Sequence, residues 1–352
     1  MTALVLAYYP GNPWPPRHGS HRRCLQMLDG LVQIGARVHL ASPNHLGDQP
    51  WTQEGLCALR ARGLERVWVY QRFRGQRRLE RLGAHVRQYQ WLGDWVNIGS
   101  AHMSWWQRRW FRRLLLRLQP SSVVIHYAFS DGLLEHDRFP NIYRIMEMQD
   151  LLSVNVQIRS GVDQRVKQFI QTGEAGELFD TTLQWADKLT PADDELAIYD
   201  KYDAVIAISR QEQLLLQQKL RHARAIWIPM HIQPVKLVNL YNGPPIFLAS
   251  GNKFNQAALL LLLNEVLGRV LAECPDFQID VVGDLSESAI PSHNVRYIGY
   301  VPNLDVVCQK ASFAICPVFA GTGQQVKLIE AMAHGLAVVA FRRAAAESPL
   351  RH

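Results

Sequence analysis

The sequence predicts an α/β protein of two domains, each built on a parallel sheet. Three observations carry this. Short apolar, β-branched runs of four to six residues alternate with helical patterns along the chain, which is how strands buried on both faces of a parallel sheet read. A punctuated break from Val235 to Pro245, strongest at Asn242-Gly243-Pro244-Pro245, divides the chain. The length of 352 residues suits two domains, and 48% hydrophobic with 20% charged residues excludes a disordered chain. The expected domains are therefore 1–235 and 236–352.

In chain order the predicted strands are Ala3–Tyr8, Arg37–Ala41, Arg66–Tyr70, Ser122–His126, Ile142–Met146, Ala204–Ile208 and Ala225–Ile228. After the break come Ile246–Ala249, Gln278–Val282, Val295–Ile298, Phe313–Cys316 and Ala337–Ala340. The first helix is expected from about Ser20 to Ile34, with Cys24, Leu28 and Leu31 on one face and Gly35 past its end. Another is expected from Asn255 to Ala272.

Several classes fall away on composition. The longest apolar run, Ala257 to Leu263, is far short of the ~18 residues of a spanning helix. Met1 to Leu6 reads as a first strand, without the basic region of a signal peptide. The five cysteines include no C-x-x-C pair, so neither a disulfide framework nor a zinc site is expected, and a cytoplasmic location is. Metal ligation by the thirteen scattered histidines is not expected either.

The net charge of +7 is unevenly placed. Between Arg60 and Arg117 stand fourteen arginines against Glu65, Glu80 and Asp94, a local +11 that leaves −4 for the rest. Within this region, residues 105–118 read as an amphipathic helix. Trp106, Trp110, Leu114 and Leu118, with Phe111 and Leu115, are expected on one face, and Arg108, Arg109, Arg112, Arg113 and Arg117 on the other. Such a helix suits an anionic membrane surface, the inner face of a membrane for a cytoplasmic protein. A domain helix with solvated arginines fits the same pattern. No nucleic-acid module is present, and no nucleic acid is expected.

The most informative segment is Phe319-Ala320-Gly321-Thr322-Gly323-Gln324-Gln325-Val326-Lys327, followed by Glu330 and Gly335. A glycine loop leading into a helix, expected to begin near Gln324, presents backbone N–H groups and a partial positive charge to a diphosphate. Lys327 adds a full charge, and Glu330 shares its face and can accept from a ribose diol. A plain turn with a Lys327–Glu330 pair is the alternative on local evidence.

This segment resembles the nucleotide-binding element of the family 4 glycosyltransferases, which have the two-domain GT-B fold. Glu330-Ala331-Met332-Ala333-His334-Gly335, Phe277 to Gly283, Val295 to Pro302 and Asp203 to Ser209 carry the likeness, closest in the second half of the chain. The resemblance implies two Rossmann-like domains facing a cleft. It implies sugar transfer from a nucleotide sugar with retention, no required metal and no cofactor beyond the donor. The acceptor, a glycan, a lipid-linked carrier or a small molecule, would sit on the first domain.

It also implies site residues. Gly321, Thr322, Gly323, Lys327 and Glu330 would hold the donor, with Lys253 against the diphosphate. In the proline-rich loop Pro10 to Ser20, Gly19 and Ser20 would supply close backbone approach and amides, unless Ser20 is only a helix cap. Three departures stand out. Thr322 occupies the place of a usual carboxylate. Gln149 stands where many members have histidine, which makes Glu147, Gln149 and Asp150 the catalytic candidates. The chain ends twelve residues after Ala340, where crossover helices are expected. A scaffold that binds a nucleotide sugar without transfer, or a sugar-nucleotide epimerase, are the competing functions.

Overall fold

A computed structural model of the chain describes residues 2–47, 49–76, 103–172, 190–285, 292–319, 322–341 and 344–345, with the side chains of 163–172 outside the description. The chain forms two compact units. The first comprises Met1–Asp150, Ala192–Ile208 and Glu212–Ile228; the second comprises Leu151–Pro191, Ser209–Gln211 and Pro229–His352. This is not the single cut expected after residue 235. Leu151–Pro191 groups with the second unit although it lies inside the expected first domain.

In the first unit the elements are β1 (Leu4–Tyr8), α1 (Gly19–Gln33), β2 (Arg37–Pro43), α2 (Gln53–Ala61), β3 (Arg66–Tyr70), α3 (Trp105–Leu118), β4 (Ser122–His126) and β5 (Tyr143–Glu147). The chain then forms α4 (Leu152–Thr172) of the second unit and returns through α5 (Asp193–Tyr199), β6 (Ala204–Ala207), α6 (Arg210–Lys219) and β7 (Arg224–Trp227). The strands lie in the order β3-β2-β1-β4-β5-β6-β7, and every pairing is parallel. Central β6 is buried along its whole length and edge β7 is not, which is why β6 is uniformly apolar. Tyr9, Leu25, Leu28, Val38, Leu40, Leu59 and Val124 make one continuous core under α1 and α2.

The second unit continues with β8 (Ile246–Leu248), α7 (Lys253–Leu261), a π turn over Leu262–Val266, α8 (Leu267–Glu273) and β9 (Ile279–Val282). It closes with β10 (Val295–Gly299), α9 (Asp305–Lys310), β11 (Ala314–Cys316), α10 (Val326–Ala333) and β12 (Val338–Ala340). Its parallel sheet has the order β10-β9-β8-β11-β12. Side chains alternate as a pleated strand requires: Phe247 enters a core with Ala258, Leu259, Ile279 and Val281 on one face. Ile246 and Leu248 enter another with Cys308, Ala331 and Leu336 on the opposite face. The 21-residue stretch Lys253–Glu273 is apolar and long enough to cross a membrane by length and composition. Its Ala257, Ala258, Leu259 and Leu261 are nonetheless buried in this core.

All twelve expected strands are present. The break at Val235–Pro245 is fastened to the second unit. Val235 N–H donates to Ala333 O at 2.7 Å and Leu240 N–H to Gln309 O at 2.7 Å. Asn239 Nδ2 donates to the carbonyls of Cys308 and His334. Gly335 is required there: its φ is +78°, and a Cβ would lie 2.9 Å from Asn239 Oδ1.

The helix at 105–118 corrects one expectation. Its buried face is Gln107, Phe111, Leu114 and Leu115. Trp106 is outside that face, 41% exposed, together with Trp105 at 53%. Tyr8, Tyr70 and Met103 supply the apolar surroundings of the inner face, and Gln107 fits among them because its Nε2 donates to Tyr8 Oη at 3.2 Å.

Candidate functional site

Each sheet has a topological switch point, where successive connections leave in opposite directions. It lies between β1 and β4 in the first unit and between β8 and β11 in the second. Ligands of open parallel sheets bind outside the carboxyl ends of the strands at such points. The candidate residues are therefore considered unit by unit.

In the first unit, β1, β4 and β5 deliver Tyr9, His126, Tyr127, Glu147, Gln149 and Asp150 to this edge. Gly19 opens α1, and His18, not Ser20, is the cap residue, with no side-chain cap bond. Ser20 Oγ instead bonds His18 Nδ1 at 2.7 Å and meets Tyr9 Oη at 3.2 Å. Tyr127, with a φ of +67°, lies beside Tyr9 at 6.4 Å between ring centroids and close to both Ser20 and Asp150; burial pushes its phenol upward, so it stays protonated. Ser20 and Asp150 are thus brought together through Tyr127.

Glu147 is fully buried. Arg23 Nε donates to its Oε1 and Nη2 to its Oε2, both at 3.1 Å, with side-chain exposures of 1% and 0%. Burial pushes the Glu147 carboxyl upward, and the Arg23 guanidinium opposes that rise. The geometry is that of an internal clamp between α1 and β5.

Gln149 is also buried, and its Nε2 donates to His126 Nδ1 at 3.0 Å. The tautomer follows: Nδ1 accepts, so Nε2 carries the proton. Burial, with Arg23 nearby, pushes the His126 imidazole down to about 3. It is therefore neutral, and among the described residues its buried Nε2 has no hydrogen-bond partner. Asp150 N–H donates back to Met148 O at 2.7 Å, which closes a γ-turn around Gln149 at a φ of +65°. Such turns are rare for residues other than glycine and store strain at functional edges. Asp150 is the one candidate of the three that keeps partial exposure.

In the second unit, the loops after β8, β9 and β11 meet. Lys327 is the second residue of α10, half-buried, and its Nζ donates to Ser250 Oγ at 3.1 Å. That bond spans the switch point. Burial pushes the Lys327 ammonium down to about 8, against the opposing pull of Cys316, Asp284 and Glu330. Asn252 caps α7 by accepting from Asn255 N–H at 2.9 Å, and both asparagine amides donate to Ser250 Oγ. Ser250 is thus the node of the loop. The loops can approach because Gly283, at a φ of +121°, has no side chain: a Cβ would lie 2.2 Å from Ala249 O.

Gly323 turns through a φ of +73°, and Thr322 beside it is partly exposed. Helix α10 starts at Val326, two residues later than expected; ahead of it the Gln324 side chain accepts at Oε1 from Met230 N–H at 2.7 Å. Glu330 is buried close to Lys327. Lys253 opens α7, is exposed and makes no ion pair among the described residues. Gly321 lies outside the described residues. Among the described residues no three metal-ligating side chains converge.

Sequence reasoning missed Arg23, His126, Ser250 and Asp284. His126 was within reach, since it ends a strand at the same edge as Asp150. The other three acquire meaning only from partners distant in sequence.

Residues 244–351 match the family model of glycosyl transferases group 1. No curated protein matches the chain by sequence. By structure the chain is similar to a glycosyltransferase from Rickettsia africae, at 11% identity and a TM-score of 0.55 over 96% of this chain and 79% of that one. It is similar to TarM at 9% identity and a TM-score of 0.56, over 97% and 85% of the two chains. It is similar to HepE of Anabaena, determined in complex with UDP-glucose, at 13% identity and a TM-score of 0.54 over 99% and 83%. The fold is therefore GT-B, and the resemblance to glycosyl transferases group 1 rests on the family model over residues 244–351.

Proposed function

We propose that the chain transfers a sugar from a nucleotide-sugar donor to an acceptor, with the donor diphosphate held on the second unit. The observation that carries this reading is Lys327. Its ammonium stands in the first turn of α10, anchored to Ser250 at a switch point and preceded by the left-handed Gly323. Helix amides and a lysine together make a diphosphate site. They also stabilise the charge that develops on a leaving diphosphate, which suits transfer without a metal. Glu330 is the acceptor for ribose hydroxyls, Thr322 replaces a carboxylate with a hydroxyl toward the sugar, and Lys253 meets the outer phosphate. In the first unit Asp150 is the acid exposed enough to touch an acceptor, while Gln149 and Glu147 position the edge. Retention of the anomeric configuration belongs to the same reading.

A second reading is favoured by Thr322 and Gln149, which stand where a carboxylate and a histidine are usual: a nucleotide-sugar binder that does not transfer. HepE is known with UDP-glucose, so UDP and UDP-glucose are the first ligands to test, within a wider nucleotide-sugar panel. Titration calorimetry should show UDP binding, with Lys327→Ala weakened roughly ten- to a hundredfold, the loss of one charge-assisted hydrogen bond. Slow UDP release from UDP-glucose supports transfer; binding without release supports the second reading. Unchanged affinity in a folded Lys327→Ala protein overturns the donor site.

A further inference from the structure

The outer face of α3 carries a surface that the sugar-transfer reading does not use. Trp105 and Trp106 are 53% and 41% exposed, Leu116 is 55% exposed, and Phe73, after β3, is 45% exposed. They are not scattered. Trp106 packs edge-on to Phe73 at 5.2 Å and to Trp105 at 4.7 Å, and Leu116 stands about three turns along the same face as Trp105. The inner face of the helix is already filled by Phe111, Leu114 and Leu115, so these four side chains are additional to the core. An exposed aromatic group of this kind on a folded unit marks a contact surface.

The charges around it name the occupant. Helix α3 contains Arg108, Arg109, Arg112, Arg113 and Arg117 and no acidic residue. Arg112 pairs with Glu135 at 3.4 Å; among the described residues Arg109, Arg113 and Arg117 make no ion pair. Arg109 instead lies 5.3 Å over the Trp105 ring, and Arg117 lies 5.2 Å over Trp68, which Arg66 also covers at 4.0 Å. Arginines laid along tryptophans place guanidinium groups among the exposed apolar side chains. That is the arrangement that suits a bilayer interface, where indoles sit at headgroup depth and guanidinium groups reach phosphates.

We infer that the outer face of α3, with Phe73, is a docking surface for an anionic lipid bilayer. The inference is independent of the transfer reaction and survives if no sugar is moved.

The full chain is mixed with vesicles of phosphatidylcholine alone or phosphatidylcholine with phosphatidylglycerol, and bound protein is read by co-sedimentation. Binding to the phosphatidylglycerol vesicles at low salt is expected, with release as salt shortens the range of the attraction. Arg109→Gln combined with Arg113→Gln should weaken it by about fivefold per charge removed, roughly 25-fold together. Trp105→Ala with Trp106→Ala should weaken binding without moving the melting temperature, since both rings are largely outside the core. No adsorption to anionic vesicles, or equal adsorption by the double arginine variant, overturns the inference. A chain that forms dimers, and loses them in Trp105→Asp, assigns the face to a second copy and overturns it as well.

Discussion

The two sheet edges use similar residue types in opposite ways. At the first unit's edge the charged and polar groups are buried and closed on each other: Arg23 with Glu147, Gln149 with His126. At the second unit's edge Lys327 is half-buried and held by a single serine hydroxyl. A guanidinium buried with its carboxylate is out of a ligand's reach. An ammonium that donates to one neutral hydroxyl and is pushed down by burial to about 8, even with Asp284 and Glu330 nearby, gains from an arriving anion. The first edge is built for rigidity, the second for binding.

The largest effect that can break this comparison is on stability. Glu147→Ala leaves Arg23 buried without a counter-charge, and chemical denaturation should show a loss of about 3–5 kcal/mol. Replacing both members, Arg23→Met with Glu147→Leu, should recover most of it. If Glu147→Ala keeps full stability, the clamp is not structural and Glu147 returns to the chemistry.

A smaller effect is the acid response of the same edge. The His126 imidazole is held down to about 3, below its ordinary value of ~6.5. The unfolded chain therefore takes up this proton first as pH falls. Stability from this group is complete above pH ~6.5 and declines toward pH 3, by about 1.4 kcal/mol per pH unit. Denaturation midpoints measured between neutral pH and pH 5 should fall less in His126→Asn than in the unaltered chain.

The smallest effect sharpens the second edge. Lys327 is protonated below about pH 8, and only the protonated form attracts a diphosphate. UDP affinity should fall as pH rises through that value, by up to tenfold per unit, and calorimetry in two buffers should show proton uptake on binding there. Lys327→Arg should flatten the profile, because a guanidinium stays charged. A flat profile in the unaltered chain would place the lysine away from the phosphates.

By itself the sequence determined the sheets and most of the second edge. Central strands such as Val123 to Ile125 and Ala204 to Ala207 are buried on both faces, so local apolar content is enough to find them. The loop from Thr322 to Glu330 was legible for a similar reason. A glycine turn, a helix start and a lysine are neighbours in the chain, and their geometry is set by short-range backbone chemistry.

Only the tertiary structure decided the rest, because it depends on partners far apart in sequence. Glu147 could be read as a catalytic acid until Arg23, 124 residues away, was found against it. Gln149 gained its role from His126, on the neighbouring strand. Gln324, ahead of α10, gained its partner from Met230, 94 residues earlier. The helix at 105–118 shows the limit most plainly. It has apolar side chains around much of its circumference, so periodicity admits more than one buried stripe. The space left beside Tyr8 and Tyr70 admits Phe111 and the inner edge of Trp110, and leaves Trp105 and Trp106 outside. Periodicity reports which residues can share a face; the shape of the surface they meet selects which face is covered.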